Sequence, residues 1–286
     1  DLPENNKTLL LEFKDYLFAE GISRGRIAKY MNHLFRVALW LDKPFESVTR
    51  RDIIRLIEEI ENQGYTVNTK HDFKVVIKRF FKWLRGTDEY PEEVKWIRTT
   101  VKESNSKLPE ELLTEEEVKR LIECADHPRN KAMVSLLYES GCRVGELLSL
   151  QIKHVEFDEY GAKVTVDGKT GMRRIRVVSC VPYLAAWIDM HPLRDNPDSP
   201  LWVSLATNNR NKPILYHSFN TLLSKLAKKA DIKKRIHPHI FRHSRATHLS
   251  IHLTEAQMNQ YFGWVQGSDM PATYVHLSGR DVDDAI

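Results

Sequence analysis

Apolar side chains return at helical spacing through the first 86 residues. Leu9, Leu10, Phe13, Tyr16 and Leu17 fall on one face, and Ile27, Tyr30, Leu34, Val37 and Ala38 on another, with Gly21 and Ser23 punctuating the gap. Thr49 followed three residues later by Asp52 is a capping box, and it opens a third stretch carrying Ile53, Ile54, Leu56, Ile57 and Ile60, which Gly64 ends. A fourth carries Phe73, Val76, Ile77, Phe80, Phe81 and Leu84, with Gly86 as its stop. The pattern predicts a four-helix unit over residues 1–86.

Residues 87–112 hold two prolines and mixed charge and read as a linker. A second capping box, Thr114 to Glu117, opens another helical region over residues 113–286. After Leu150 the period changes to two: "HVEFDEY", "AKVTVDG" and "RRIRVVS" alternate, which predicts a small antiparallel sheet with a glycine-flanked hairpin tip at "DGKTG". Helical spacing returns in "VPYLAAWIDM", "SFNTLLSKLAKKA", "PHIFRHSRATHLSIH" and "TEAQMNQYFGW". The expected fold is therefore mainly α with a small antiparallel β-sheet, an α+β chain in two domains.

No apolar run approaches the ~18–20 residues that span a bilayer. Cys124, Cys142 and Cys180 are far apart and form no CxxC pair, so neither a disulfide framework nor a cysteine zinc site is expected. That usage fits a reducing, cytoplasmic setting. Charge is more telling in its distribution than in its total of +4. From Leu205 to Leu253 ten basic residues face one acid, Asp231, which suits an anionic partner such as nucleic acid.

That basic segment contains "HPHIFRHSRATHL" (237–249). Pro238 suits a helix's first turn, and His239 and Arg242 then share a face at i and i+3, close to unpaired backbone amides. An imidazole, a guanidinium and a helix start make a site for a phosphate oxygen. The pairs His239/His243 and His248/His252 also have metal-ligand spacing, but no HExxH pattern or cysteine accompanies them, and the phosphate reading is preferred. Upstream, "SGCRVGELLSL" puts Arg143 and Glu146 on one helix face, which alone reads as a surface ion pair. Lys169 sits at the hairpin tip between Gly168 and Gly171. Trp264 offers an indole donor, and Tyr274 alone would read as a buried structural tyrosine.

In order, Arg143, Lys169, His239-x-x-Arg242, Trp264 and Tyr274 resemble the pattern of the tyrosine recombinase (phage integrase, Xer-like) family. They match as "GCRVGEL", "GKTG", "HIFRHSRATHL", "FGW" and "ATYVH", and the resemblance covers the whole chain. It implies a DNA core-binding domain before a catalytic domain, and DNA cleavage without a metal or other cofactor. Tyr274 would be the nucleophile, Arg143 and Arg242 would hold the non-bridging oxygens, and His239 would manage the tyrosine's proton. Lys169 would protonate the leaving oxygen, Trp264 would stand where many relatives have His, and Glu146 and His243 would support these groups. The resemblance also implies double-stranded DNA as partner, a dimer per site and a tetramer at synapsis. Phe241 replaces a common Leu, the spacing from Trp264 to Tyr274 is slightly long, and twelve residues follow Tyr274, so the family's C-terminal docking helix is expected to be short or cut off here.

Two rivals use the same residues: a type IB topoisomerase, and a DNA-binding protein that has lost catalysis. For phosphate contacts the basic residues expected to serve are Arg24, Arg26, Lys29, Lys70, Lys74 and Lys78, with Lys212, Lys225 and Arg245 downstream.

Overall fold

The computed structural model describes residues 2–100, 111–168 and 170–278, the last four as backbone only. The chain divides into two compact units, Asp1–Ser104 and Asn105–Ile286.

The first unit contains α1 (Glu4–Ala19), α2 (Arg24–Leu41), α3 (Arg50–Asn62), α4 (Val67–Arg85) and the short α5 (Glu92–Lys95). The Thr49–Asp52 box is formed at the start of α3: Asp52 Oδ2 accepts the Thr49 amide at 2.9 Å. Such a cap is worth about 1 kcal/mol. Gly86 closes α4 in the left-handed region. Phe13, Leu17, Leu34, Val37, Ile53, Phe80 and Phe81 are buried together. Ile54 points outward, as the helical period requires once Ile53 and Leu56 face the core. α5 lies within the stretch expected to be linker, and Val94 and Ile97 bury in this unit's core. Two apolar residues at i, i+3 were enough to dock a single turn where prolines and charges suggested none.

The second unit contains α6 (Glu115–Glu123), α7 (Pro128–Ser140) and α8 (Val144–Leu148), then β1 (Val155–Asp158), β2 (Gly161–Gly168) and β3 (Gly171–Val177). α9 (Val181–Asp189), α10 (Tyr216–Lys229), α11 (Pro238–Ser250), α12 (Glu255–Phe262) and α13 (Met270–Ser278) follow. The three strands form one antiparallel sheet in sequence order. Val164 pairs with Val155 on one side and Ile175 on the other, so Ala162, Val164, Val166, Ile175 and Val177 fill the inner face. α7 is apolar nearly all round because it is the central helix, packed by α6, α9, α11 and β3. Among the described residues no helix is long and apolar enough to cross a membrane.

Candidate active site

Arg143 is the N-cap of α8, reached through Gly141, whose left-handed backbone ends α7. A side chain at 141 would collide with the Phe262 ring, so glycine is required there on two counts. Glu146 caps the same helix, accepting the Arg143 amide at 2.8 Å on Oε2 and Arg143 Nη1 at 2.8 Å on Oε1. The expected i,i+3 pair exists, but Glu146 is only 4% exposed, so it is no solvated surface pair.

A second arginine shares that carboxylate. Arg173 on β3 donates from Nη2 to Oε2 at 2.8 Å and from Nη1 to Oε1 at 3.2 Å. Arg173 was absent from the expected set. Its signal was nonetheless present: it has the parity of Ile175 and Val177, which places a basic residue on the buried face of the strand. Burial pushes the Glu146 carboxyl up, but the Arg173 and Arg143 hydrogen bonds outweigh it and hold the group below the ordinary carboxylate value.

On α11, His237 is the N-cap and Pro238 stands in the first turn, as the sequence predicts. His239 lies on the exposed side of that turn, whereas Arg242 is 6% exposed. Arg242 donates to the Gly141 carbonyl at 2.8 Å and to the Phe262 carbonyl at 2.6 Å, and lies over the Phe262 and Trp264 rings. Burial, then the nearby Arg143 charge, lowers the Arg242 guanidinium to about 10, so it is still charged at neutral pH.

Tyr274 sits on α13, a helix the sequence pattern did not announce, and is 2% exposed. Its ring stacks on Trp264 at 5.4 Å, and Trp264 stacks on Phe262 at 4.8 Å. Burial raises the phenol above its ordinary value, and the Arg242 charge offsets this in part. The histidine that meets the tyrosine oxygen is His243, one of the residues expected to support the site, whose Nδ1 lies 2.7 Å from it. One turn along α11 separates the two histidines, and the buried side of the helix decides which meets the tyrosine.

Lys169 lies outside the described residues. Beside it, Thr170 Oγ1 donates to the Gly263 carbonyl at 3.1 Å.

Around Tyr274 and Trp264, then, two guanidinium groups share one carboxylate and a third, that of Arg242, is held on backbone carbonyls beside them. Fixed positive charge in excess, on donors with spare N–H groups, binds an oxyanion. The histidine pairs with metal spacing have other partners: His243 has Tyr274, and His248 Nδ1 has the Tyr138 hydroxyl at 2.7 Å. Among the described residues no group of three or more His, Cys, Asp or Glu side chains is placed to hold a metal ion.

The basic residues expected to meet phosphates differ in their surroundings. In the first unit Lys29 is paired with Asp72, and Lys70 and Lys74 share Glu61. Lys78 donates to the Ile97 carbonyl at 3.1 Å and lies over the Tyr90 ring. Arg24 and Arg26 are exposed. In the second unit Lys212 and Lys225 are exposed, whereas Arg245 is half-buried, donates to the Glu139 carbonyl and covers the Tyr138 ring. Arg245 thus serves the packing of α11 on α7.

The model of the phage integrase family matches residues 111–280. Tyrosine recombinase XerA of Pyrococcus horikoshii is 31% identical over 250 residues, covering 85% of this chain and 80% of that protein. A crystal structure of XerA recombinase aligns over 98% of both chains with 26% identity and a TM-score of 0.53. The fold also matches a lambda integrase dimer bound to a COC' core site, at 16% identity and a TM-score of 0.75, over 97% of this chain and 79% of that one. By sequence over most of its length, the chain belongs to the phage integrase family, the tyrosine recombinases.

Proposed function

We propose that this tyrosine recombinase cuts and rejoins duplex DNA at defined sites through a 3′-phosphotyrosyl intermediate on Tyr274. The observation that supports the reading best is the pair of arginines on one buried carboxylate, with a third buried arginine near them and a buried tyrosine hydrogen-bonded to a histidine. Arg143 and Arg242 hold the non-bridging oxygens of the scissile phosphate and stabilise the charge that grows there. The Tyr274 oxygen attacks phosphorus as its proton is taken by histidine, His243 in the arrangement described and His239 at the exposed turn once the phosphate is bound. The P–O5′ bond breaks and Lys169 supplies the proton to the departing 5′-oxygen. Trp264 packs the tyrosine and can donate its indole N–H to the phosphate. Because the phosphotyrosine keeps the energy of the broken ester, a 5′-hydroxyl can reverse the step without ATP or a metal ion.

A phenol that is 2% exposed cannot reach a DNA phosphate where it lies, so α13 shifts on engagement. Lambda integrase has been seen as a dimer on a core site; by likeness this chain acts as a dimer per site and pairs two sites in a tetramer. The 1–86 unit and the basic 205–253 segment grip the duplex from the phosphate side, with the exposed Arg24, Arg26, Lys212 and Lys225 as first contacts.

A nicked duplex that traps the covalent step tests the reading. Wild type is expected to form a protein–DNA adduct and Tyr274→Phe none. Adduct formation by Tyr274→Phe, or by neither protein, sinks it. Plasmid relaxation with no recombinant products from paired sites would favour a type IB topoisomerase instead.

A further inference from the structure

α12 ends on three consecutive carbonyls, and each is taken by a side chain of the candidate site. Tyr261 O accepts from Arg173 Nε at 3.1 Å, Phe262 O from Arg242 Nη2 at 2.6 Å, and Gly263 O from Thr170 Oγ1 at 3.1 Å. Carbonyls at a helix C-terminus carry partial negative charge and need donors, and cationic donors suit them best. Arg173 alone also reaches the carboxylate. Its Nε serves Tyr261, its two terminal nitrogens serve Glu146, and its side chain is 9% exposed. Glu146 in turn holds both the backbone and the guanidinium of Arg143.

Two glycines keep this arrangement open. A Cβ at Gly168 would run into Glu146 Oε1, and one at Gly263 would come within 2.8 Å of Arg173 Nη1. The space beside the carboxylate and the guanidinium is therefore filled to contact by the hairpin tip on one side and the α12 turn on the other.

We infer that Arg173 is the positioning residue of the phosphate clamp, fixing Arg143 through Glu146 and locking both to the α12 turn that leads to Trp264. It rests on the recombinase reading above and adds a residue to it. Arg173 does not touch the phosphate. With its fork spent on Glu146 and Tyr261, it supplies direction rather than a contact, leaving Arg143, 30% exposed, as the group that meets the anion. A lysine at 173 keeps the charge but cannot fill three fixed hydrogen-bond directions at once.

The test uses the full chain and a nicked duplex selected from a randomised library by covalent capture with wild type. Single-turnover cleavage and DNA Kd are measured separately, on the natural phosphate and on a neutral methylphosphonate at the same position. Arg173→Lys is expected to lower the cleavage rate about 100-fold, the scale of a misplaced reacting group, with Kd and thermal midpoint unchanged. Most of that gap should close on the methylphosphonate, where one charged oxygen is gone and a well-aimed Arg143 matters less. Gly168→Ala, whose added carbon would clash with the Glu146 carboxylate and reach Arg173 Nη1 only at ordinary contact distance, should reproduce the loss even if Arg173→Lys folds poorly. Two results would overturn the inference alone: wild-type rates in both variants, or equal losses on both substrates with a lowered thermal midpoint. Failure of wild type to capture any duplex would instead overturn the recombinase reading, and this inference with it.

Discussion

In the first unit Lys29 faces Asp72, Lys70 and Lys74 share Glu61, and Arg79 faces Glu20, all at or near the surface. In the second unit Arg143, Arg173 and Arg242 have Glu146 among them, and Arg242 and Glu146 are each less than a tenth exposed. Exposed pairs of the first kind are worth about 0–1 kcal/mol each and can exchange a carboxylate for a phosphate at little cost. Charges of the second kind are held by neighbours on several elements and cannot rearrange. Where basic residues are numerous but compensated, they attract; where they are few, buried and in excess, they bind one anion in one orientation. Counting lysines and arginines along the chain points to the first behaviour and misses the second.

The contrast breaks most sharply at Arg242. Arg242→Ala removes the buried guanidinium proposed to hold a non-bridging oxygen, and cleavage of a nicked duplex should fall by about 10²–10³, the scale seen when one charge-stabilising donor is lost. Gel-shift affinity should change far less, because the other basic residues still hold the backbone. If affinity fell as steeply as the rate, Arg242 would belong with the general phosphate contacts and the distinction between the units would fail.

A smaller effect separates two kinds of residue within the first unit. Arg24 and Arg26 are exposed, and among the described residues no ion pair is made with them. Replacing either with alanine should reduce the slope of log affinity against log salt by about 1 if it meets a phosphate. Lys74→Ala should move the slope less, since Glu61 already takes part of that charge, and should leave Lys70 as the remaining partner. Equal slopes for Arg24→Ala and Lys74→Ala would show that compensation within the unit does not matter to binding.

What could be read from the sequence was mostly local. The four helices of the first unit, both capping boxes and the hairpin depend on neighbours within a few residues, and their spacing states them. Arg242, Trp264 and Tyr274, which the resemblance named far apart in sequence, lie against one another, with the Arg143 charge near Arg242. Contacts across long separations were not legible. Arg173 reaches Glu146 from 27 residues away, and a basic residue on a short strand gave no reason to look there except its inward parity. His243 rather than His239 meets Tyr274 because α13 lies against the buried side of α11, and "MPATYVHLS" has too weak an amphipathic pattern to announce that helix. Arg245 was picked out by charge alone, and the half-buried place where α11 packs on α7, with its bond to the Glu139 carbonyl, could not be read from that charge.

The mildest prediction concerns the alkaline limit, where the units again differ. In the first, the Glu20 hydrogen bond raises Tyr16, which is 40% exposed. In the second, burial raises Tyr138 and Tyr261 to about 12, and Tyr274 rises for the same reason. A phenol whose folded value lies above its unfolded one adds stability that is complete below the unfolded value of 10.0 and drains away as pH climbs through the folded value. Raising the pH from 10 towards 12 should therefore loosen the second unit while the first still holds. Hydrogen exchange followed peptide by peptide would show protection lost first around α7, α12 and α13, where these tyrosines sit. Loss beginning in α1–α4 at the same pH would mean that burial of the three phenols does not limit the second unit, and the aromatic stack beside Arg242 would then be a looser arrangement than its geometry indicates.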